Sequence, residues 1–416
     1  MAASSNKIVV IGGGAGGMMA ALFAAREGTQ VTLLERNDRL GRKVYITGKG
    51  RCNVTNDCTL DEFLRETPRN PRFLYSALSF FSPQDMMRLL EDGGCPVVVQ
   101  RGRRVYPATE KASDVTRTLQ KLMTEAGVRT ITNARVRSID AADGHVTGVL
   151  LENGTRLSAD RVILATGGRS YPATGSTGDG YAMAAALEHT ILPQTGVLSA
   201  IETVDAWPCE LQGLSLRNVT LTMTRGKKTL YTELGEMLFT HFGISGPLTL
   251  TMSCHLPEEL SQAQVTLNLK PGLTREQLDA RMQREFASQS RKQLRNVMPS
   301  LLPGKLAELF PRLCGVDGGK TCDQITRQER EQLVATMQSL PIRLKKLAPL
   351  EEAIVTRGGV SVKEIAPATM ESKHVSGLYF AGEVIDVDAH TGGYNLHIAW
   401  ATGALAGHSA AQTDET

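Results

Sequence analysis

The residues whose type and spacing suit chemistry lie in glycine-rich clusters near the two ends of the chain. Gly12, Gly14 and Gly17 stand at G-x-G-x-x-G spacing, and Glu35 follows 18 residues after Gly17. The first glycine permits a tight turn. The second lets backbone approach a pyrophosphate, the third lets a helix pack on a strand, and the acid accepts ribose hydroxyls. Ala15 and Gly16 would add the free N–H groups of a helix N-terminus, and Arg36 sits beside the acid. The chemistry is dinucleotide binding. Glu35 would repel a 2′-phosphate, which argues against NADP in this position. A glycine-rich turn without a ligand is the plainer alternative, and it leaves Glu35 unexplained.

The segment Arg39–Asn56, RLGRKVYITGKGRCNVTN, has no clear helical or strand period. Arg42, Lys43 and Arg51 supply charge there. Gly48 and Gly50 supply close backbone approach, and Thr47, Cys52, Asn53, Thr55 and Asn56 are interleaved with them. Such a loop suits a pyrophosphate and ribityl chain; a solvated basic loop is the alternative. Thr166, Gly167 and Gly168 end the apolar run RVILATGG. Gly382 closes GLYFAG, with Glu383 and Asp386 after it. HTGGYN then places Gly392, Gly393, Tyr394, Asn395 and Leu396 at the start of a last helix reaching about Ala406. Val136 is added to the expected cofactor contacts. A helix start aimed at a flavin pyrimidine ring would stabilise the negative charge of reduction. This two-ended arrangement points to FAD rather than NAD. No second strand-flanked G-x-G-x-x-G occurs, so NAD(P)H is expected only as a transient electron donor.

Two residues are candidates for catalysis. His390 lies beside the expected helix start and titrates near neutral pH, which suits a proton partner for hydride transfer; a backbone hydrogen bond is its alternative role. Cys52 has basic neighbours that would lower a thiol pKa, yet it lacks a second cysteine at redox-pair spacing, which favours a small packing residue. Tyr171 and Tyr394 are expected to shape the ring pocket.

The elements that would position these groups are legible. Lys7–Ile11 reads as a buried parallel strand, Ala15 to about Arg26 as a small-residue helix stopped by Gly28, and Val31–Leu34 as a second strand. The class is α/β. With 416 residues, two or three domains are expected. A net charge of +3 does not by itself imply nucleic acid. No apolar run is long enough to span a membrane, and no signal peptide is recognised. Seven scattered cysteines without a C-x-x-C pair exclude a zinc or thioredoxin reading and suit reduced thiols in a cytoplasm.

Five segments together resemble one family: GGGAGGMMAA, GRKVYITGKGRCNVTN, ILATGGRSYPATGSTGDGY, GEMLFTHFGISGP (Gly235–Pro247) and AGEVIDVDAHTGGYNLHIAWATG. The chain is similar to the bacterial flavoproteins of the BaiN, YhiN and aminoacetone oxidase type. It departs from their wording at Ala389, where glycine is expected, and at His397, where glutamine is expected. The resemblance implies a Rossmann-like FAD domain of the glutathione-reductase-like superfamily, interrupted by an insert with β-barrel-like and helical parts. The expected boundaries are 1–190 and 353–416 for the FAD domain and 191–352 for the insert, its β part about 191–272 and 337–352 and its helical part about 273–336. Val219–Thr224 and Val265–Leu269 read as strands of the insert. Thr274–Arg295 reads as helical, with a Thr274/Gln277 capping box and Leu278, Met282 and Phe286 on one face. Gly235–Pro247 reads as turn-rich, lining the substrate side or forming a hinge.

The resemblance also implies three reactions: reduction of an activated C=C bond in an enone, oxidation of a small amine, or reduction of uridine in ribosomal RNA. Small-molecule chemistry is placed first. The basic residues Arg275, Arg281, Arg284, Arg291, Lys292 and Arg295 are the sequence support for RNA, against a solvated face balanced by Glu276, Asp279 and Glu285. Oligomeric state is left open, and Gln412–Thr416 reads as a tail.

Overall fold

The computed structural model describes residues 6–257 and 259–412; of the expected tail, 413–416 lie outside the described residues. The chain divides into two compact units, Met1–Val197 with Pro349–Thr416, and Leu198–Ala348. Each has its own apolar core.

The first unit is built on five parallel strands. In chain order they are β1 (Lys7–Ile11), β2 (Gln30–Leu34), β3 (Arg129–Ile131), β4 (Arg161–Leu164) and β5 (Leu378–Phe380), arranged β5-β4-β1-β2-β3. Helix α1 (Ala15–Arg26) connects β1 to β2. The order reverses direction at β1, the switch point that defines where ligands enter an open α/β sheet. The expected helix and strands thus form within one residue of their sequence limits. The segment read as aperiodic does not: Arg42–Ile46 is a short helix, α2, and Thr47–Gly50 a 3-10 turn. Five residues are too few to show a helical period.

The last helix, α3, spans Tyr394–Ala411, five residues past its expected end. It crosses α1 at backbone distance. A Cβ on Gly403 would stand 2.3 Å from the Gly16 carbonyl oxygen, and one on Gly407 2.2 Å from that of Ala20. The glycines of α3 therefore fix how closely its N-terminus sits to that of α1.

Residues 191–197, assigned to the insert from sequence, belong to the first unit. Ile191–Val197 pairs antiparallel with Val355–Val360, and 349–352 cluster with the same unit. That pairing joins segments some 160 residues apart, and no local signal records it.

The second unit is a seven-stranded antiparallel sheet, with a helical run between its strands Gln264–Asn268 and Leu340–Ile342. Its strand order is Leu340–Ile342, Gln264–Asn268, Ser215–Arg225, Lys228–Phe239, Gly243–Ser245, Ile201–Thr203, Leu344–Leu347. The two edge strands, Leu340–Ile342 and Leu344–Leu347, are consecutive in the chain with Arg343 alone between them, so this segment passes from one edge of the sheet to the other and closes it, as the barrel-like expectation had it. Gly235–Phe239 is strand rather than turn; only Thr240–Phe242 and Gly246 break the backbone. Helix Arg275–Ser288 carries the Thr274/Gln277 capping box and buries Leu278, Met282 and Phe286. Among the described residues, no helix is long and apolar enough to cross a membrane.

Candidate functional site

A cleft opens at the carboxyl ends of the parallel strands, entirely within the first unit. It holds about 1340 Å³ of atom-free space, part of it open to solvent. Its floor is the glycine turn after β1, where Gly12, Gly14, Ala15 and Gly16 all line the space. Gly17 lies beneath it: a Cβ there would stand 1.8 Å from the Gly12 oxygen, so the turn closes only on glycine. A Cβ on Gly14 would meet nothing within 4 Å, and this is the face that a ligand can approach. Helix α1 has no side-chain cap and no acid in its first turn. Its first N–H groups lack intrahelical partners by helix geometry and favour an anion.

Glu35, 7% exposed, stands at the end of β2 on the rim. Its Oε2 accepts the Gly13 N–H at 2.7 Å, and its Oε1 accepts the Asn37 N–H at 2.8 Å and the Asn37 side-chain amide at 2.6 Å. The carboxylate is thereby fixed before any ligand arrives. Next to it, Asp179 accepts from Arg135 (2.9 and 3.3 Å), Thr177 (2.8 Å) and Arg36 (3.0 Å). Burial alone would raise the Asp179 carboxyl; the Arg135, Thr177 and Arg36 contacts outweigh it and hold the pKa below the ordinary value. Arg36, Arg135, Val136 and Asp179 line this polar end of the cleft. Arg42 turns toward it too, donating to Asn37 Oδ1 at 2.9 Å.

The other end is more apolar, with Val44, Val355, Val387 and Leu396 in its walls beside the N-terminus of α3. That helix also starts uncapped, from Gly393 at φ +101°. Asn395 holds the approach to it, accepting the Ala389 N–H at 2.9 Å and donating to the Ala389 carbonyl at 2.6 Å. Lys43, expected to carry charge for a pyrophosphate, is instead ion-paired with Glu383 at 2.7 Å and donates to Ser170 Oγ at 2.6 Å. Glu383 also accepts the Thr356 N–H at 2.7 Å and the Ser170 hydroxyl at 3.1 Å. Thr47, Thr166, Gly167 and Gly382 complete the lining. Thr166 Oγ1 is buried without a hydrogen-bond partner among the described residues and lies against Gly180, where a Cβ would stand 2.0 Å from it.

A floor left open by the missing Cβ of Gly14, a fixed acid at one end and two uncapped helix N-termini fit an adenine dinucleotide with a flat second ring.

Several expected contacts stand away from this cleft. Arg51 pairs with Glu110 at 3.0 Å and lies over the Tyr106 ring. Gly48 and Gly50 turn the backbone after Thr47, Asn53 buries its side-chain oxygen without a hydrogen-bond partner among the described residues, and Thr55 and Asn56 form a short strand. Asn56 donates to the Gly392 carbonyl at 3.2 Å and so braces the turn before α3. Gly168 packs against Thr356 and Glu383. Asp386 is consumed by Arg69 at 2.5 Å and by Asn70. Tyr394 packs edge-on against Phe63, facing a second pocket with Asn56 and Glu62.

Neither catalytic candidate lines the cleft. His390 Nδ1 lies 2.9 Å from the Glu66 carboxylate, and its backbone N–H donates to the Glu66 carbonyl. Cys52 is fully buried, and burial pushes its thiol up to about 12. The neighbouring guanidinium of Arg51 points away to Glu110, so no thiolate is favoured there. Sequence reasoning missed Asn37, Arg135, Asp179, Ser170 and Thr356. They come from separate segments, and only the adjacency of Arg135 to Val136 hinted at any of them.

Comparison with known proteins adds to this geometry. A family profile described as the HI0933-like protein Rossmann domain matches residues 6–409. The chain is 30% identical over 413 residues to a 3-dehydro-bile acid delta(4,6)-reductase of Clostridium scindens, covering 98% of this chain and 99% of that one. It is 31% identical over 392 residues to a ribosomal RNA dihydrouridine synthase of Haemophilus influenzae, covering 92% and 94%. Among solved structures, a 3-ketosteroid-delta4-(5alpha)-dehydrogenase from Rhodococcus jostii RHA1 superposes with a TM-score of 0.52 over 99% of both chains. At 16% identity that likeness speaks to the fold alone. The fold is a Rossmann-type FAD-binding one of the flavoprotein oxidoreductases.

Proposed function

The chain belongs to the HI0933-like Rossmann-domain family, and from that premise we propose that it is an FAD-dependent oxidoreductase that reduces a carbon–carbon double bond conjugated to a carbonyl. The observation that carries this reading is the single cleft in which the glycine turn, Glu35 and the uncapped starts of α1 and α3 meet. Both relatives' names denote the same bond chemistry. A 3-oxo steroid 4,6-diene and the uracil ring each present a C=C in conjugation with a C=O.

In such a reduction a hydride adds to the β carbon, a proton adds to the α carbon, and the electron pair comes from NAD(P)H, which leaves as NAD(P)⁺. Bound FAD supplies the two-electron relay between donor and substrate. The protein's part is positional. Glu35 would accept the ribose hydroxyls, and the N–H groups of Ala15 and Gly16 would hold the pyrophosphate. The Asn395-braced turn would set the start of α3 against the ring. Among the described residues no cysteine is in a disulfide, which supports a reducing, cytoplasmic compartment.

The first substrate class is a small enone, supported by the bile-acid reductase relative, which covers 98% of this chain and 99% of its own. The test is anaerobic reduction of the protein-bound flavin by NADH and then NADPH, followed by reoxidation with a 3-oxo-Δ4 steroid. Reoxidation by the enone supports the reading. A flavin that ignores both nicotinamides and is reduced by small amines supports the amine oxidase reading instead.

A second reading, reduction of uridine in ribosomal RNA, is favoured by charge. Residues 198–348 contain 19 of the 46 Lys and Arg but 15 of the 43 acids; the rest of the chain has one more acid than bases. Arg284, Arg291, Lys292 and Arg295 are exposed and make no ion pair among the described residues. Asp279, expected to balance them, is bound to Arg330 at 2.7 Å. Salt-dependent RNA binding, lost on reversing Arg291 and Arg295 to Glu, supports this reading; no RNA affinity at low salt removes it.

A further inference from the structure

Of the carboxylate and amine side chains lining the cleft, Glu35 and Asp179 stand at its polar end, fixed by Asn37 and by Arg36 and Arg135. Lys43 and Glu383 form the charged pair at the other end. Val44 follows Lys43 in the chain and Val355 precedes Thr356, whose N–H holds Glu383, so the pair shares the cleft with these apolar residues. Their mutual contact is 2.7 Å, and each side chain is about four-fifths buried. Ser170 bridges both, and the Thr356 N–H fixes the second Glu383 oxygen. Gly168 leaves room for this arrangement: a Cβ there would meet Thr356 and come within 3.0 Å of Glu383.

We propose that Lys43 and Glu383 are a potential-setting pair, a fixed cation and anion held beside the ring end of the dinucleotide so that neither charge acts on the ring alone. This rests on the FAD reading above. An apolar wall screens charge weakly, so removing one partner exposes the ring to the other. Two-electron reduction of a flavin adds negative charge. A neighbouring ammonium favours that state and a neighbouring carboxylate opposes it. The two single substitutions must therefore act in opposite directions. A merely structural salt bridge predicts no such antisymmetry: breaking it from either side would loosen the same loops and shift both variants alike.

The experiment is a two-electron midpoint potential, measured on FAD-saturated protein at pH 8 by equilibration with reference dyes. Glu383→Gln leaves the Lys43 ammonium and is expected to favour reduction at least tenfold, about +30 mV for a two-electron couple. Lys43→Met leaves the Glu383 carboxylate and is expected to oppose it by a similar factor. Lys43→Arg and the double variant Lys43→Met/Glu383→Gln should both stay near the parent value. Should Lys43→Met fail to fold, the upward shift of Glu383→Gln and the return of the double variant still decide the matter. Shifts of one sign in both single variants, or no shift in Glu383→Gln, overturn the inference while the FAD reading stands. A parent protein that binds no FAD overturns both.

Discussion

Glu35 and Gly13 are locked together across the mouth of the cleft, the Gly13 N–H donating to the carboxylate Oε2 at 2.7 Å. The acid that ends β2 is thus tied to the turn that ends β1, and the two halves of the dinucleotide fingerprint form one rigid unit.

Glu35→Gln replaces an acceptor by an amide that has to aim a donor at the Gly13 or Asn37 N–H groups. The expected result is a folded protein that binds FAD some 10- to 100-fold more weakly, about 1.5–3 kcal/mol for lost hydrogen bonds to a charged group. Titration of the apoprotein with FAD by fluorescence quenching measures it. Unchanged affinity would remove Glu35 from the site.

Gly17→Ala places a methyl 1.8 Å from the Gly12 oxygen. The strand–helix turn has to open, so this variant should lose FAD and also about 1–3 kcal/mol of stability. A melting temperature equal to the parent's would contradict the packing described.

How much of this was legible in the sequence depended on the range of the signal. Lys7–Ile11, Ala15–Arg26 and Gln30–Leu34 were readable because each carries its own period and stop. The helix Arg42–Ile46 was not, since five residues show no period. Glycines that meet the cleft announced themselves by spacing, whereas Asp179 and Arg135 are ordinary charged residues until the fold sets them 2.9 Å apart. The basic neighbours of Cys52 suggested a reactive thiol, but burial, which a sequence does not display, decides its state.

His390→Asn should keep FAD and lower turnover less than tenfold, because the imidazole is turned to Glu66 and does not line the cleft. A loss of 10²–10⁴-fold, the range expected for a missing general acid, together with loss of one limb of the pH–rate profile, would return it to the catalytic role.

His397 offers a test in acid. It is fully buried, with Nε2 donating to the Phe81 carbonyl at 3.2 Å; burial lowers its pKa from 6.5 to about 4 despite that contact and Asp85. The folded state holds this imidazole neutral, so its contribution is complete above pH 6.5 and is lost as pH falls toward 4. The loss between pH 7.5 and pH 5 is about 2 kcal/mol. Thermal melts of parent and His397→Gln across that range should show the flatter profile in the variant. Parallel profiles would show that this histidine does not govern acid sensitivity.

The most direct test of the central claim is the visible spectrum of the purified protein after incubation with FAD and removal of free cofactor. The account predicts stoichiometric flavin absorbance in the parent and its loss in Gly17→Ala. A colourless parent that retains NAD but not FAD would contradict it.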